Sequence, residues 1–166
     1  MAYGTDDGFT AWLASQGLAL PTGAPLPAVL RQIGSSYVDA AYGHKLTCSS
    51  KAGGVTQEMA WPRKGHTLDG EVVPDDYIPT AWVQAAYRAG YLSAVTPGWA
   101  TDSVNPNRIT VKERVDVIER EFAKASDLIG TADVAAGMNA DGVINGMLQP
   151  WLCGGSRRFN SLFMVI

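Results

Sequence analysis

The sequence predicts a mainly helical α+β fold: a small helical bundle carrying a long extended strand or hairpin arm and an extended C-terminal tail. Three observations lead there. Apolar residues recur at helical spacing in several segments bounded by proline and glycine. One charge-rich stretch alternates apolar and polar residues as a half-buried strand does, and the last five residues are all apolar. At 166 residues the chain has the size of a single domain, read as residues 1–152 with a tail at 153–166.

The first helix is expected near residues 5–16. Thr5, Asp6 and Asp7 offer cap oxygens and negative charge, Phe9, Trp12 and Leu13 share one face, and Gly17 is a natural stop. Three prolines between Leu20 and Pro27 force a turn or extended linker. A second helix follows near 26–42, its stripe formed by Leu26, Leu30, Ile33, Tyr37 and Ala41, with Arg31, Gln32 and Asp39 off the stripe and Gly43 as the stop. His44 to Val73 is rich in Gly, Ser, Thr and Lys and reads as a long loop with one anchoring point, Met59 to Arg63. Asp75, Asp76 and Pro79 then open a third helix near 79–93, where Trp82, Ala85, Ala86, Ala89 and Leu92 form a stripe whose alanines permit close helix approach.

The stretch from Arg108 to Phe122 satisfies two templates. Ile109, Val111, Val115 and Val117 alternate as in a strand, while Val111, Val115, Ile118 and Phe122 keep helical spacing; the β-branched content favours a strand or hairpin arm near 108–122. Ala123 to Gly142 is weakly patterned and reads as irregular or mobile. A last short helix is expected near 143–151, with Val143, Ile144, Met147, Leu148 and Trp151 as its apolar side and Pro150 limiting its end. The apolar end of the tail needs a partner surface, either on its own domain or, by preference, on a neighbour.

Composition narrows the function classes. Hydrophobic residues make up 46% and charged residues 17%, against a usual charged share of about a quarter, so much of the surface is neutral or apolar. Thirteen Lys and Arg against sixteen Asp and Glu leave a net charge of -3 and a pI near 5.3, with no global attraction for nucleic acid. Met1 to Thr10 lacks a charged start followed by an apolar core, and no run approaches the roughly 18 apolar residues of a membrane span, so a soluble cytosolic product without a membrane partner is expected. Cys48 and Cys153 read as reduced, buried thiols, being too few for a disulfide scaffold or a zinc site.

Catalytic signals are absent from the sequence. His44 and His66 lie in the polar loop, where exposure is the ordinary expectation, and no nucleophile elbow, zinc-protease helix or phosphate-binding glycine loop appears. Asp69, Glu71, Asp75 and Asp76 lack calcium-loop spacing and read as a solvated acidic turn. No catalytic residue, metal ligand or cofactor is assigned, and an enzyme is disfavoured. The best nucleic-acid candidates are Arg157, Arg158 and Phe159, then Lys112, Arg114 and Arg120, the second group diluted by Glu113, Asp116, Glu119 and Glu121.

The run Gln57-Glu-Met-Ala-Trp-Pro-Arg63, followed by Ile78-Pro79 and an alanine-rich helix, resembles an element of tailed-phage head-tail connector, or adaptor, proteins. The layout from Ala2 to Asp6, through the second helix, Trp61 to Arg63, the third helix and the arm, is also similar to a phage family labelled DnaT-like single-stranded-DNA-binding; that likeness reaches about Phe122 and weakens beyond it. Trp61, Pro62 and Arg63 are the expected structural anchor: a large apolar plug, a stiff exit and a bidentate donor. The connector resemblance implies a virion neck protein, a ring of roughly twelve copies closed by heterologous contacts. Portal protein and a tail terminator or stopper would be its partners, with double-stranded DNA passing through without sequence-specific binding. Expected contacts are Arg108, Val111, Lys112, Arg114 and Val115 in the arm, and Arg157, Arg158, Phe159, Leu162, Phe163, Val165 and Ile166 in the tail. The alternative the second likeness implies is a single-stranded-DNA-binding protein of phage replication.

Overall fold

Capping starts the first element. The Thr5 side chain accepts a hydrogen bond from the Gly8 amide at 3.0 Å, and Asp6 and Asp7 put negative charge at the positive end of helix α1, Asp6–Ser15. The computed structural model describes residues 1–102 and 138–154 in full, and residues 112–115 and 118–121 as backbone. In it α1 buries Phe9, Trp12 and Leu13, the face expected from spacing, and Gly17 ends the turn in the left-handed region at φ 65°.

Helix α2, Pro27–Tyr42, begins with proline in its first turn, where the missing N–H leaves nothing unpaired. Its buried face runs through Leu30, Gly34, Tyr37, Val38, Ala41 and Tyr42, rotated from the expected stripe: Leu26 is 73% exposed and Ile33 only half-buried. Gly34 is the reason. Helix α3, Thr80–Val95, crosses so closely that a Cβ on Gly34 would lie 1.9 Å from the Ala86 carbonyl oxygen, and one on Gly90 2.5 Å from that of Leu30. The alanines of α3 allow this approach as expected, but the glycine sets the line of contact. Gly43 does not stop α2 with a left-handed residue; at φ -58° it leads into a 3-10 turn, Gly43–Lys45.

The segment read as a long loop is folded back by two short antiparallel ladders. Strand β1, Ser50–Lys51, pairs with β2, Arg63–Lys64, and β3, Thr67–Leu68, with β4, Glu71–Val72. Asp69 and Gly70, at φ 50° and 90°, form the two-residue turn of the second hairpin, the conformation in which Asp-Gly is favoured. A second correction concerns the cysteines. Cys48 and Cys153 form a disulfide with a Cα–Cα distance of 5.5 Å, and Cys48 is exposed, so neither is the reduced, buried thiol expected. Sequence spacing hides the pair because 105 positions separate them and only the fold brings them together.

Helix α4, Gly142–Leu148, is capped by Asp141, whose Oδ1 accepts from the Val143 and Ile144 amides at 3.0 and 2.9 Å. It passes into a 3-10 turn, Gln149–Trp151, at Pro150, and buries Ile144 and Leu148 while Val143 stays half exposed. Arg88 of α3 holds Asp141 with two bonds of 2.7 and 2.9 Å, docking α4 by its cap. The core thus has two parts on the α2–α3 pair. Phe9, Trp12, Leu13, Leu30, Tyr87 and Ala94 form one; Tyr3, Tyr37, Val38, Trp61, Trp82, Ile144 and Leu148 belong to the larger other.

The arm resolves as strands. Lys112–Val115, β5, pairs antiparallel with Ile118–Glu121, β6, which removes the helical alternative. The side chains of Arg108, Val111, Lys112, Arg114 and Val115 lie outside the described residues. So do Arg157, Arg158, Phe159, Leu162, Phe163, Val165, Ile166 and most of the 123–142 segment. The fold is mainly helical α+β, as the sequence predicts.

Candidate functional site

Trp61, Pro62 and Arg63 sit where the loop is drawn against α2 and α3. Trp61 is buried and meets Trp82 and Trp151 edge-on at centroid distances of 6.0 and 5.7 Å. The Trp61–Pro62 peptide is cis. The Arg63 guanidinium is also buried: it donates to the carbonyls of Ala60 (3.1 Å), Leu46 (2.6 Å) and Ser49, and to Ser49 Oγ at 2.6 Å. Its planar fork is consumed by backbone of three loop positions, so it serves as a clamp rather than an exposed contact. Gln57 completes the element. Its amide nitrogen donates to the Met59 and Pro62 carbonyls at 2.9 and 3.0 Å, and its oxygen accepts from Gly53 N at 2.8 Å.

Asp39, read from the sequence as an off-stripe polar residue, is the centre of a buried network. Its Oδ1 accepts from the Tyr3 hydroxyl at 2.7 Å and Trp82 Nε1 at 3.0 Å, and its Oδ2 from Ala60 N at 2.8 Å. Burial pushes the carboxyl above its ordinary value, and the three donated bonds pull it back only in part. Burial and the Asp39 charge push the Tyr3 phenol up as well, so Tyr3 stays a donor throughout the working pH range. Sequence periodicity could not find this site, because helical spacing reports apolar faces and the partners come from three other segments.

His66 corrects a further expectation. It is 1% exposed, edge-on to Trp61 at 4.8 Å and stacked on Trp151 at 6.2 Å, since the hairpins fold the polar loop back onto Trp61 and the turn that follows α4. His44 is exposed as expected. Nδ1 of His66 lies 3.1 Å from Ser49 Oγ and 3.9 Å from Cys48 Sγ, while Nε2 is buried without a hydrogen-bond partner among the described residues. A serine against an imidazole has the outline of nucleophile and base, yet Ser49 Oγ is held by Arg63 and among the described residues no acid bonds Nε2. The arrangement supports packing.

Burial, then the charge of Arg63, hold the His66 imidazolium below its ordinary value near 6.5. The unfolded chain therefore binds the proton first as pH falls. Stability from this residue is complete above about pH 6.5, is lost on acidification from there, and levels off below the folded-state value. Urea melts between about pH 7.5 and 5 should show that fall, and His66→Gln should flatten it; an unchanged slope in the variant would assign the effect elsewhere.

An open groove of about 340 Å³ runs past the anchor, lined by Met1, Ala2, Met59, Trp61, Pro62 and Ile78 among others. Cations among the described residues are mostly engaged internally. Arg31 binds Asp6 at 2.7 Å and the Gly4 carbonyl at 2.7 Å, Lys51 the carbonyls of Gln57 and Glu58, and Arg88 binds Asp141. In the arm the register sets Lys112, Arg114 and Arg120 opposite Glu121, Glu119 and Glu113. Among the described residues no helix is long and apolar enough to cross a membrane.

A family model described as "Putative DnaT-like ssDNA binding protein" matches residues 2–165. That match runs through the arm and tail, past Phe122 where the sequence reading ended the likeness, and the connector resemblance has no counterpart in it. No curated protein and no solved structure matches the chain.

Proposed function

The chain belongs to this DnaT-like family, and from that membership we propose that it is a non-catalytic protein that binds single-stranded DNA, with Arg157, Arg158 and Phe159 as the principal contact. The family match over residues 2–165 carries the reading. Charge distribution supports the placement. Residues 1–107 hold six basic against nine acidic residues, which accounts for the whole net charge of -3, whereas residues 108–166 hold seven of each. A polyanion is therefore repelled by the helical part and tolerated beyond it. After Asp141 no acid occurs up to Ile166, and that stretch contains Arg157, Arg158, Phe159 and Phe163. Cationic residues beside aromatic rings are what a sequence-tolerant single-strand contact uses.

Titration of a labelled oligothymidine over a salt series tests the proposal. Micromolar binding with a shallow salt slope is expected, and replacing both Arg157 and Arg158 by alanine should reduce that slope by roughly 1.4, at about 0.7 per phosphate contact. No binding at low salt would overturn it.

A second reading, the ring-forming head-tail adaptor, is favoured by one observation. The negatively charged helical part carries exposed apolar side chains, Leu26, Val55, Val72, Tyr77 and Ile78, with Ile78 on the rim of the apolar groove. Surface of that kind suits neighbouring protein better than DNA. In this reading the tail residues Leu162, Phe163, Val165 and Ile166 seat on an adjacent copy, on portal or on a stopper protein, and double-stranded DNA passes without being gripped. Absence of oligonucleotide binding in the same titration is the outcome it requires.

A further inference from the structure

We propose that Cys48, His66 and Cys153 form a redox-gated zinc site: once the disulfide is reduced, the two thiolate sulfurs and Nδ1 of His66 together take one Zn2+. The three donor atoms already lie within 4.8 Å of one another, and Nδ1 is 3.9 Å from Cys48 Sγ. Zinc bonds of about 2.0–2.3 Å in a tetrahedron put its ligand atoms about 3.5–4 Å apart. The sulfurs, joined in the disulfide, need only separate to that spacing, which side-chain rotation can supply.

The hydrogen bonds around the cluster suit a metal. Arg63 Nε donates to Ser49 Oγ at 2.6 Å, so the Ser49 hydroxyl has its own hydrogen to direct at Nδ1, 3.1 Å away. In that bond Nδ1 is the unprotonated acceptor, the tautomer a ligand needs, and the hydroxyl turns its hydrogen aside when a metal takes the same lone pair. The Cys48 amide donates to Cys153 Sγ at 3.0 Å, an outer bond of the kind that stabilises a metal-bound thiolate. Two thiolates and an imidazole select zinc over magnesium or calcium. Cys48 is exposed, which gives the ion an entry path and leaves a fourth position for water.

The chemistry balances with a dithiol reductant. It delivers two electrons and two protons to the Cys48–Cys153 bond and becomes a disulfide itself; zinc then displaces both thiol protons to solvent. Disulfide and metal are thus alternative fastenings of the same two segments, selected by the redox poise of the compartment.

Cobalt(II) titration of the full chain, followed by zinc competition, reads the site out. The reduced protein should take one cobalt per chain with thiolate-to-metal charge-transfer absorption, and zinc should displace it and raise the melting temperature; the oxidised protein should take none. His66→Gln should weaken binding at least tenfold, with its fold checked in the oxidised state by circular dichroism. His66→Cys, which restores a donor, should bind with a stronger charge-transfer band whether or not the glutamine variant folds. A reduced chain that takes no cobalt, that stays unfolded with zinc, or whose binding is unaltered by His66→Gln would overturn the proposal.

Discussion

Gly34→Ala should destabilise the fold by about 3 kcal/mol or more, at or beyond the upper end of ordinary overpacking. The added Cβ would stand 1.9 Å from the Ala86 carbonyl oxygen and 2.7 Å from the Gly90 amide nitrogen. Both obstacles are backbone, so no side-chain rotation relieves them, and α2 and α3 would have to move apart along their whole contact. That contact carries both halves of the core. Gly90→Ala meets the Leu30 carbonyl at 2.5 Å and should fail in the same way. A Cβ on Gly146 of α4 would meet nothing within 4 Å among the described residues, and Gly146→Ala should be neutral or stabilise by up to about 1 kcal/mol through helix propensity alone. Urea denaturation of the three variants checks the set; equal effects at Gly34 and Gly146 would show that close helix approach is not what the glycines provide.

Asp39→Ala should cost about 3–5 kcal/mol, which follows from what it strands. The Tyr3 hydroxyl, Trp82 Nε1 and Ala60 N all lose their acceptor at once, and a buried unpaired donor costs about 1–3 kcal/mol. The total falls short of three full penalties because the carboxylate itself is costly to bury, as its raised pKa shows. Asp39→Asn keeps the shape but turns an amide N–H toward one of the three donors, so it should lose less than alanine and more than nothing. Amide exchange at Ala60, which is held directly by Oδ2, should accelerate in both variants before that in α1 does. Unchanged protection there would mean the network is not cooperative.

Much of the helical framework was legible because local chemistry and burial agree. Thr5 caps, Phe9, Trp12 and Leu13 turn inward, Pro27 opens α2, and Trp82 with its alanines faces the core. The Asp69-Gly70 turn was legible too, as a two-residue hairpin signal, but the neighbouring acids drew the reading toward a solvated cluster. Gly34 and Gly90 count against a helix on propensity, so their value emerges only when a second helix lies on them. Asp39, His66 and the cysteine pair escaped for a common reason. Each is defined by contacts across tens of residues, Asp39 to Tyr3 and Trp82, His66 to Trp151, Cys48 to Cys153, and periodicity within a window of a dozen residues holds no information about them.

The position of Tyr3 has a consequence for the order of events during synthesis. Its amide binds Ser35, its hydroxyl binds Asp39, and the same oxygen accepts from Trp61 N. Tyr3 leaves the ribosome well ahead of all three, so its bonds to Ser35 and Asp39 become available first and the one from Trp61 N only once the clamp around Trp61 has been made. Helix α1 can form early from its own cap, but it cannot be seated. A segment made before its partners is thus fully held only after the last of them has emerged, and nascent chains released before Trp61 should leave the residues around Tyr3 more open to proteases.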